Sequence, residues 1–356
     1  DYYLLIGPKR KQSDTYPVFL IDSPAGEDFC ELKLLLKEEE VKKFREDMAQ
    51  NFKLETKRIK EFGAALFEAL FQPEIRDQYY KSLGIAFTQN SKLRIKLRID
   101  APDLISYPWE YLYDNRQAKD FLALHQNISV TRFLAIAENV PIFTLKPPLR
   151  ILVIISNPID RPQLVVEDEE RMMKKALRNL ESNGIARLRF LQKATFKELT
   201  KELHRRVDVI HFIGHGGYSE SLEGGLVFES DFGRSEFINI DRLGKLLETK
   251  PIRLVVLNAC RTAQASESEI AIGVAQGLVK IGVPAVVAMQ SEIRDDSAIE
   301  FSNEFYTELA ATFQVDRAVS EARRKMFIGL ESGRIDWGIP VLFMRKDDGI
   351  IFRSKE

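Results

Sequence analysis

From residue 150 to residue 345, apolar runs of strand length alternate with amphipathic stretches of helical length. RILVIIS (150–156), VDVIHFIGHGG (207–217), RLVVLNAC (253–260) and PAVVAMQ (284–290) carry strands that are apolar almost throughout. ARLRFLQKA (186–194) and PVLFMR (340–345) read as two more. Between them VEDEERMMKKALRNLESNG (166–184), with acids early and a glycine stop, reads as a helix, as do TFKELTKELHRR (195–206), RLGKLLETK (242–250) and EIAIGVAQGLVKIG (269–282). Two helices at about 296–313 and 316–329 precede the last strand. Strands apolar on both sides must be covered on both faces. This pattern therefore predicts an α/β fold, a mostly parallel sheet sandwiched by helices.

The first part reads differently. YPVFLIDSP (16–24) and NISVTRFL (127–134) are strand-like, and KEEEVKKFREDMAQNF (37–52) and TKRIKEFGAALFEALF (56–71) are helical. KLRIKLRID (92–100) alternates strictly, with Leu93, Ile95, Leu97 and Ile99 on one face and Lys92, Arg94, Lys96 and Arg98 on the other. A solvated basic face is the expectation, ahead of docking to an acidic partner or neighbouring domain. NVPIFTLKPPL (139–149), with the Pro147–Pro148 pair, marks a boundary. The chain thus divides into a smaller mixed α/β N-terminal region, 1–145, and a core, 146–356.

Length fits this division, since 356 residues hold roughly two domains of ordinary size. Fifty-two basic against 53 acidic side chains leave a net charge of −1, so no global field attracts a polyanion and nucleic acid is not an expected partner. Two cysteines build no disulfide framework, and no C-x-x-C spacing suggests a metal. No cofactor motif is present: G-x-x-x-x-G-K-[ST] and G-x-G-x-x-G are both missing. The most apolar window, 271–289, is interrupted by Lys280, Gly282 and Pro284 and reads as core rather than a membrane span. A reduced, cytoplasmic protein is expected, and a first residue Asp1 in place of Met suggests a piece of a longer one.

Function in open α/β sheets collects at the carboxyl ends of strands. Two buried strands end in reactive residues: one in His215, flanked by Gly214, Gly216 and Gly217, the other in Cys260. A thiol needs a base to take its proton, and imidazole titrates near neutrality. A tetrahedral oxyanion needs main-chain N–H donors, for which Gly216 and Cys260 are the natural candidates. Singly, each residue is more often structural; on two adjacent strand ends they point to a Cys–His dyad. His211, four residues before His215 on the same face, is expected in the core. His204, His125 and Cys30 have no chemical company, and Asp208, at the start of the strand, is too far to orient His215.

HFIGHGG (211–217) and LVVLNACRTA (254–263) resemble the paired motifs of CHAT domains, caspase-like cysteine peptidases related to caspases, metacaspases and separases. The segments 273–310, 315–327 and 336–352 are similar to the stretches after the cysteine in that family, and LRIKLRIDAPDLISYPWEYLYD (93–114) to the one that often precedes the core. The resemblance implies a caspase-like sheet, His215 and Cys260 as catalytic pair, Gly216 and Cys260 as oxyanion donors, and cleavage of protein or peptide substrates. It also implies a regulated effector part of a larger bacterial defence or signalling protein, switched by domains outside the fragment. A catalytically silent interaction module with the same fold is the alternative. Asn258 stands where metacaspases carry an acid, so their basic specificity is not implied. Gln290, Ser291 and Glu292 are expected to border the substrate cleft. Glu292, Asp295 and Asp296 either favour a basic residue before the cut, or the two aspartates cap the helix near 296, and capping is preferred. The segment 217–241 is expected to be a mobile element beside His215, with a plain hairpin as the alternative.

Overall fold

The computed structural model describes residues 1–11, 13–50, 54–136, 143–145, 147–218, 224–259, 265–329, 333–345 and 348–354. The first part contains β1 (Tyr2–Ile6), β2 (Tyr16–Asp22), β3 (Asp28–Leu32), α1 (Glu38–Gln50), α2 (Thr56–Leu70), α3 (Pro73–Thr88) and β4 (Leu93–Ile99). Short elements come next: two 3-10 turns at Pro102–Leu104 and Trp109–Tyr111, β5 (Tyr113–Asp114), β6 (Asp120–Phe121), β7 (Ile128–Phe133) and β8 (Phe143–Leu145). The second part opens with β9 (Leu149–Ile155), α4 (Val166–Ser182), β10 (Ala186–Phe190), α5 (Phe196–Glu202) and β11 (Val209–Gly214). Then come β12 (Gly216–Tyr218), β13 (Gly224–Glu229), β14 (Ser235–Asn239), α6 (Ile240–Leu247), β15 (Leu254–Ala259), α7 (Ala265–Lys280) and β16 (Ala285–Met289). The chain closes with α8 (Asp295–Thr312), α9 (Val315–Gly329), a 3-10 turn at Asp336–Gly338, β17 (Pro340–Met344) and β18 (Phe352–Ser354).

One sheet of eleven strands, in the order β10-β9-β11-β15-β16-β17-β7-β4-β1-β2-β3, runs through both parts. It is mostly parallel: among the described residues seven of its ten pairings are parallel and three antiparallel. The antiparallel β16–β17 contact divides it into two parallel sets of opposite direction. The carboxyl ends of β9, β11, β15 and β16 therefore share one edge, and those of β17, β7, β4 and β1 the other. Strands of the first part join the core strands through β17 and β7, where Phe343 faces Arg132 and Met344 faces Phe133.

Strand alternation builds two cores. Val153, Val209, Val256 and Val287 pack under α4, α8 and α9, with Leu177, Phe305 and Ala322. Their neighbours Leu152, Ile210, Val255 and Val286 pack on the other face under α5, α6 and α7, with Leu199, Leu243 and Leu278. Both faces are covered, as the apolar strands required.

The structure refines three expectations. The basic row of β4 is only partly solvated: Lys92 is exposed and Arg98 half-buried, whereas Lys96 is only 3% exposed. Lys92 pairs with Glu321 (3.0 Å), Arg94 with Asp316 (2.7 Å) and Lys96 with Asp1 (2.7 Å), so the chain's own carboxylates cover the row. Arg294 holds the cap position of α8, and Asp295 and Asp296 fill its first turn, where the Asp296 carboxylate accepts from the Ser297 N–H (2.9 Å) and pairs with Arg334 (3.1 Å). Carboxylates there still favour the positive helix end. Within 217–241 the hairpin alternative is seen, as β12, β13 and β14 form an antiparallel sheet of three strands; residues 219–223 lie outside the described residues. Among the described residues no helix is long and apolar enough to cross a membrane.

Candidate active site

β11 and β15 are parallel neighbours, and their last rung joins Gly214 to Ala259. His215 and Cys260 are the next residues along the two strands; Cys260 itself lies outside the described residues. His215 is buried and lies between β11 and β12. Its Nε2 is 3.1 Å from the main-chain oxygen of Pro162. A carbonyl oxygen only accepts, so Nε2 carries the proton, and a neutral ring keeps its lone pair on Nδ1. Burial holds the imidazolium below the ordinary histidine value; the Pro162 carbonyl opposes this and nearby Arg161 adds to it.

The loop carrying Pro162 leaves the end of β9 and is held at several points. The Asn157 side chain bonds both main-chain groups of Leu164 (2.8 and 3.1 Å). The Gln163 amide donates to the Pro158 oxygen (2.7 Å). Asp160 accepts from both the N–H and the hydroxyl of Ser235 (2.8 Å each), and the Ile159 N–H donates to the Gly233 oxygen (2.9 Å). The loop and the β13–β14 hairpin thus brace each other around the histidine.

The hairpin also orients the peptide after His215. The His215 oxygen accepts from the Val227 N–H at 2.9 Å. In a planar trans peptide the Gly216 N–H then points the opposite way, leaving it unused by β13. Gly216 has no room for a side chain: a Cβ there would come within 2.7 Å of the Ile270 Cγ2 on α7.

The model of the CHAT domain family matches residues 60–339. The chain belongs to the CHAT domain family. No curated protein matches it in sequence. Among solved structures it is similar to the Arg-specific cysteine proteinase gingipain R, also solved as a complex of Porphyromonas gingivalis RgpB pro- and mature domains. For the first the identity is 12%, with 87% of this chain and 71% of that one covered, and for the complex 10%, with 84% and 70%; the TM-score is 0.45 in both. The Saccharomyces cerevisiae separase–securin complex aligns at 16% identity over 92% of this chain and 21% of that one, with a TM-score of 0.42. A secreted C11 cysteine protease from Bacteroides thetaiotaomicron aligns at 14% identity over 50% and 57%, with a TM-score of 0.33. The fold of this CHAT domain is α/β, a large mostly parallel sheet with helices on both faces.

The other expected cleft residues of the CHAT domain lie near the same edge. Asn258 is half-buried on β15, opposite Ile213 of β11. Gln290 comes directly after β16 at the His215 edge. It is buried, and its amide donates to Glu110 (3.0 Å) and to the Gly338 oxygen (2.7 Å). Glu110 is in turn ion-paired with buried Arg132 at 2.8 Å. Ser291 is buried, and its hydroxyl has no hydrogen-bond partner among the described residues. Ser291 lies two residues beyond β16, at the edge where β11 and β15 also end. Glu292 is half-buried. Among the described residues no group of three His, Cys, Asp or Glu side chains is placed to hold a metal.

His211 is core, its Nδ1 on the Tyr306 hydroxyl at 2.9 Å. Asp208 is at the far end of β11, bound to the Arg150 N–H and to Arg206. His204 stands beyond the end of α5, and Cys30 is buried with its thiol pushed up to about 12 by burial. Sequence reasoning missed the Pro162 carbonyl. A main-chain oxygen carries no residue signature, so nothing in the sequence marked it.

Proposed function

We propose that this CHAT domain is a cysteine endopeptidase that cleaves protein substrates through His215 and Cys260. One observation carries the reading: a buried, neutral His215, its Nε2–H on the Pro162 carbonyl, stands where the neighbouring strand leads into Cys260. Nδ1 takes the thiol proton as the sulfur attacks the scissile carbonyl carbon. The oxyanion accepts from the N–H groups of Gly216 and Cys260. The imidazolium then protonates the leaving amine, giving a thioester. A water, deprotonated by His215, hydrolyses the thioester and restores the thiol.

Asn258, Gln290, Ser291 and Glu292 would line the substrate cleft. Gln290 serves as a fixed wall, since its amide is already engaged, and the buried Ser291 hydroxyl still has an unused hydrogen-bonding capacity beside it. Within this proposal the domain is the effector of a larger bacterial defence or signalling protein, released by regulatory parts beyond residues 1–356.

The test compares cleavage products of a cellular proteome treated with the wild type, Cys260→Ala and His215→Ala. Both variants should lose cleavage by several powers of ten. Cleavage retained in Cys260→Ala would rule the reading out.

A further inference from the structure

Strand β3 ends the eleven-stranded sheet, and β2 alone pairs with it. The Pro17 oxygen accepts from the Gly7 N–H (2.8 Å), so residues 17 and 19 of β2 turn their main-chain groups toward β1 and residues 16, 18 and 20 toward β3, up to an irregularity in the β1 register at Ile21. Asp28, Cys30 and Leu32 answer from β3. The main-chain groups of Phe29 and Glu31 therefore face outward, and among the described residues no other backbone meets them. The Phe29 N–H turns onto its own Asp28 carboxylate (2.9 Å).

The side chains divide in the same way. Cys30 and Leu32 are buried in the core, while Glu27, Phe29, Glu31 and Lys33 point to the other face. That face is uncovered: Phe19 is 40%, Ile21 38% and Phe29 40% exposed, and Phe19 and Phe29 lie 5.1 Å apart, ring to ring. Glu27 and Lys33 are exposed and have no ion-pair partner among the described residues.

We propose that β3 is a self-association edge, to which β3 of a second copy of this chain pairs antiparallel with Cys30 on the two-fold axis. This register joins the outward groups of Phe29 to those of Glu31 in the second copy, and the reverse. It sets Glu27 of each copy against Lys33 of the other, supplying both charges with partners. The two Phe29 side chains lie across the diagonal at roughly 7–8 Å, within aromatic reach. Arg10, which pairs with Glu31 (2.9 Å) and lies over the Phe29 ring (6.0 Å), offsets the nearest like charges. Charges on an edge strand ordinarily guard against pairing. Here their order, acid before and base after the centre, is self-complementary, and that selects a second copy over an unrelated strand.

Sedimentation equilibrium over about 1–100 μM tests the proposal. The wild type should show a concentration-dependent monomer–dimer equilibrium. Glu27→Lys and Lys33→Glu each place like charges face to face twice and should weaken it roughly tenfold. The double variant Glu27→Lys/Lys33→Glu restores both pairs and should recover wild-type association. Both positions are exposed, so circular dichroism should show unchanged folding. A monomer at every concentration, a dimer indifferent to the single reversals, or no recovery in the double variant each overturns the proposal.

Discussion

Acid should destabilise this protein through His211, a histidine with no part in the proposed chemistry. His211 is only 2% exposed, and burial pulls its pKa down to about 4 from 6.5. Its Nδ1 meets the Tyr306 hydroxyl, while Nε2 has no partner among the described residues. Above pH 6.5 the ring is neutral in both folded and unfolded chains. Between 6.5 and 4 the unfolded chain takes up the proton and the folded one does not, so stability falls as pH falls. A gap of 2.5 units at 1.36 kcal/mol per unit gives about 3 kcal/mol lost by pH 4. Removing both partners together leaves no orphaned polar group, so His211→Leu/Tyr306→Phe should fold with near wild-type stability at pH 7. Urea unfolding from pH 7 to pH 4 reads the difference. All other titrating groups are common to both proteins, so subtracting the two pH curves isolates His211. The variant should lose about 3 kcal/mol less than the wild type. Curves parallel to within about 0.5 kcal/mol would refute the account of a buried neutral histidine.

Three further outcomes are expected. Arg132→Met leaves the Glu110 carboxylate buried without its cation and should cost about 3–5 kcal/mol in urea unfolding, largely recovered by adding Glu110→Gln; a loss below about 1 kcal/mol contradicts the pairing. Asn157→Ala removes two hydrogen bonds, worth together about 2 kcal/mol, from the loop that presents Pro162 to His215. It should lower kcat/KM for peptide cleavage up to roughly thirtyfold while the melting curve stays cooperative, and an unchanged rate argues against the positioning role. Because burial lowers the pKa of His215, the acid limb of kcat/KM should fall below pH 6.5; the base form persists as pH drops until that lowered value is passed. A limb centred at or above 6.5 contradicts the burial argument.

The elements of the second part were legible in the sequence because each is a local pattern. Apolar runs gave β9, β11, β15 and β16, and amphipathic spacing gave α4 and α7, close to their observed bounds. In the first part YYLLI (2–6) and DFCEL (28–32) were too short to stand out, and α3 carries no continuous apolar stripe to mark it. The adjacency of Gly214 and Ala259, the residues before His215 and Cys260, came from parallel pairing of two strands, which their composition demanded.

Other features arise only when distant segments meet. β4 reads as half-solvated because alternation reports only what its own residues prefer. Its basic residues are partnered partly by Asp316 and Glu321, more than 200 positions away, which arrive on α9 to meet Arg94 and Lys92. The reversal of direction at β16–β17, which assigns strand ends to opposite edges, is likewise set by pairing between distant segments. The order of residues settles which side chains are available for chemistry and which strand ends carry them. Which main-chain oxygen orients His215 is settled in the folded chain, because every residue has such an oxygen and packing alone chooses among them.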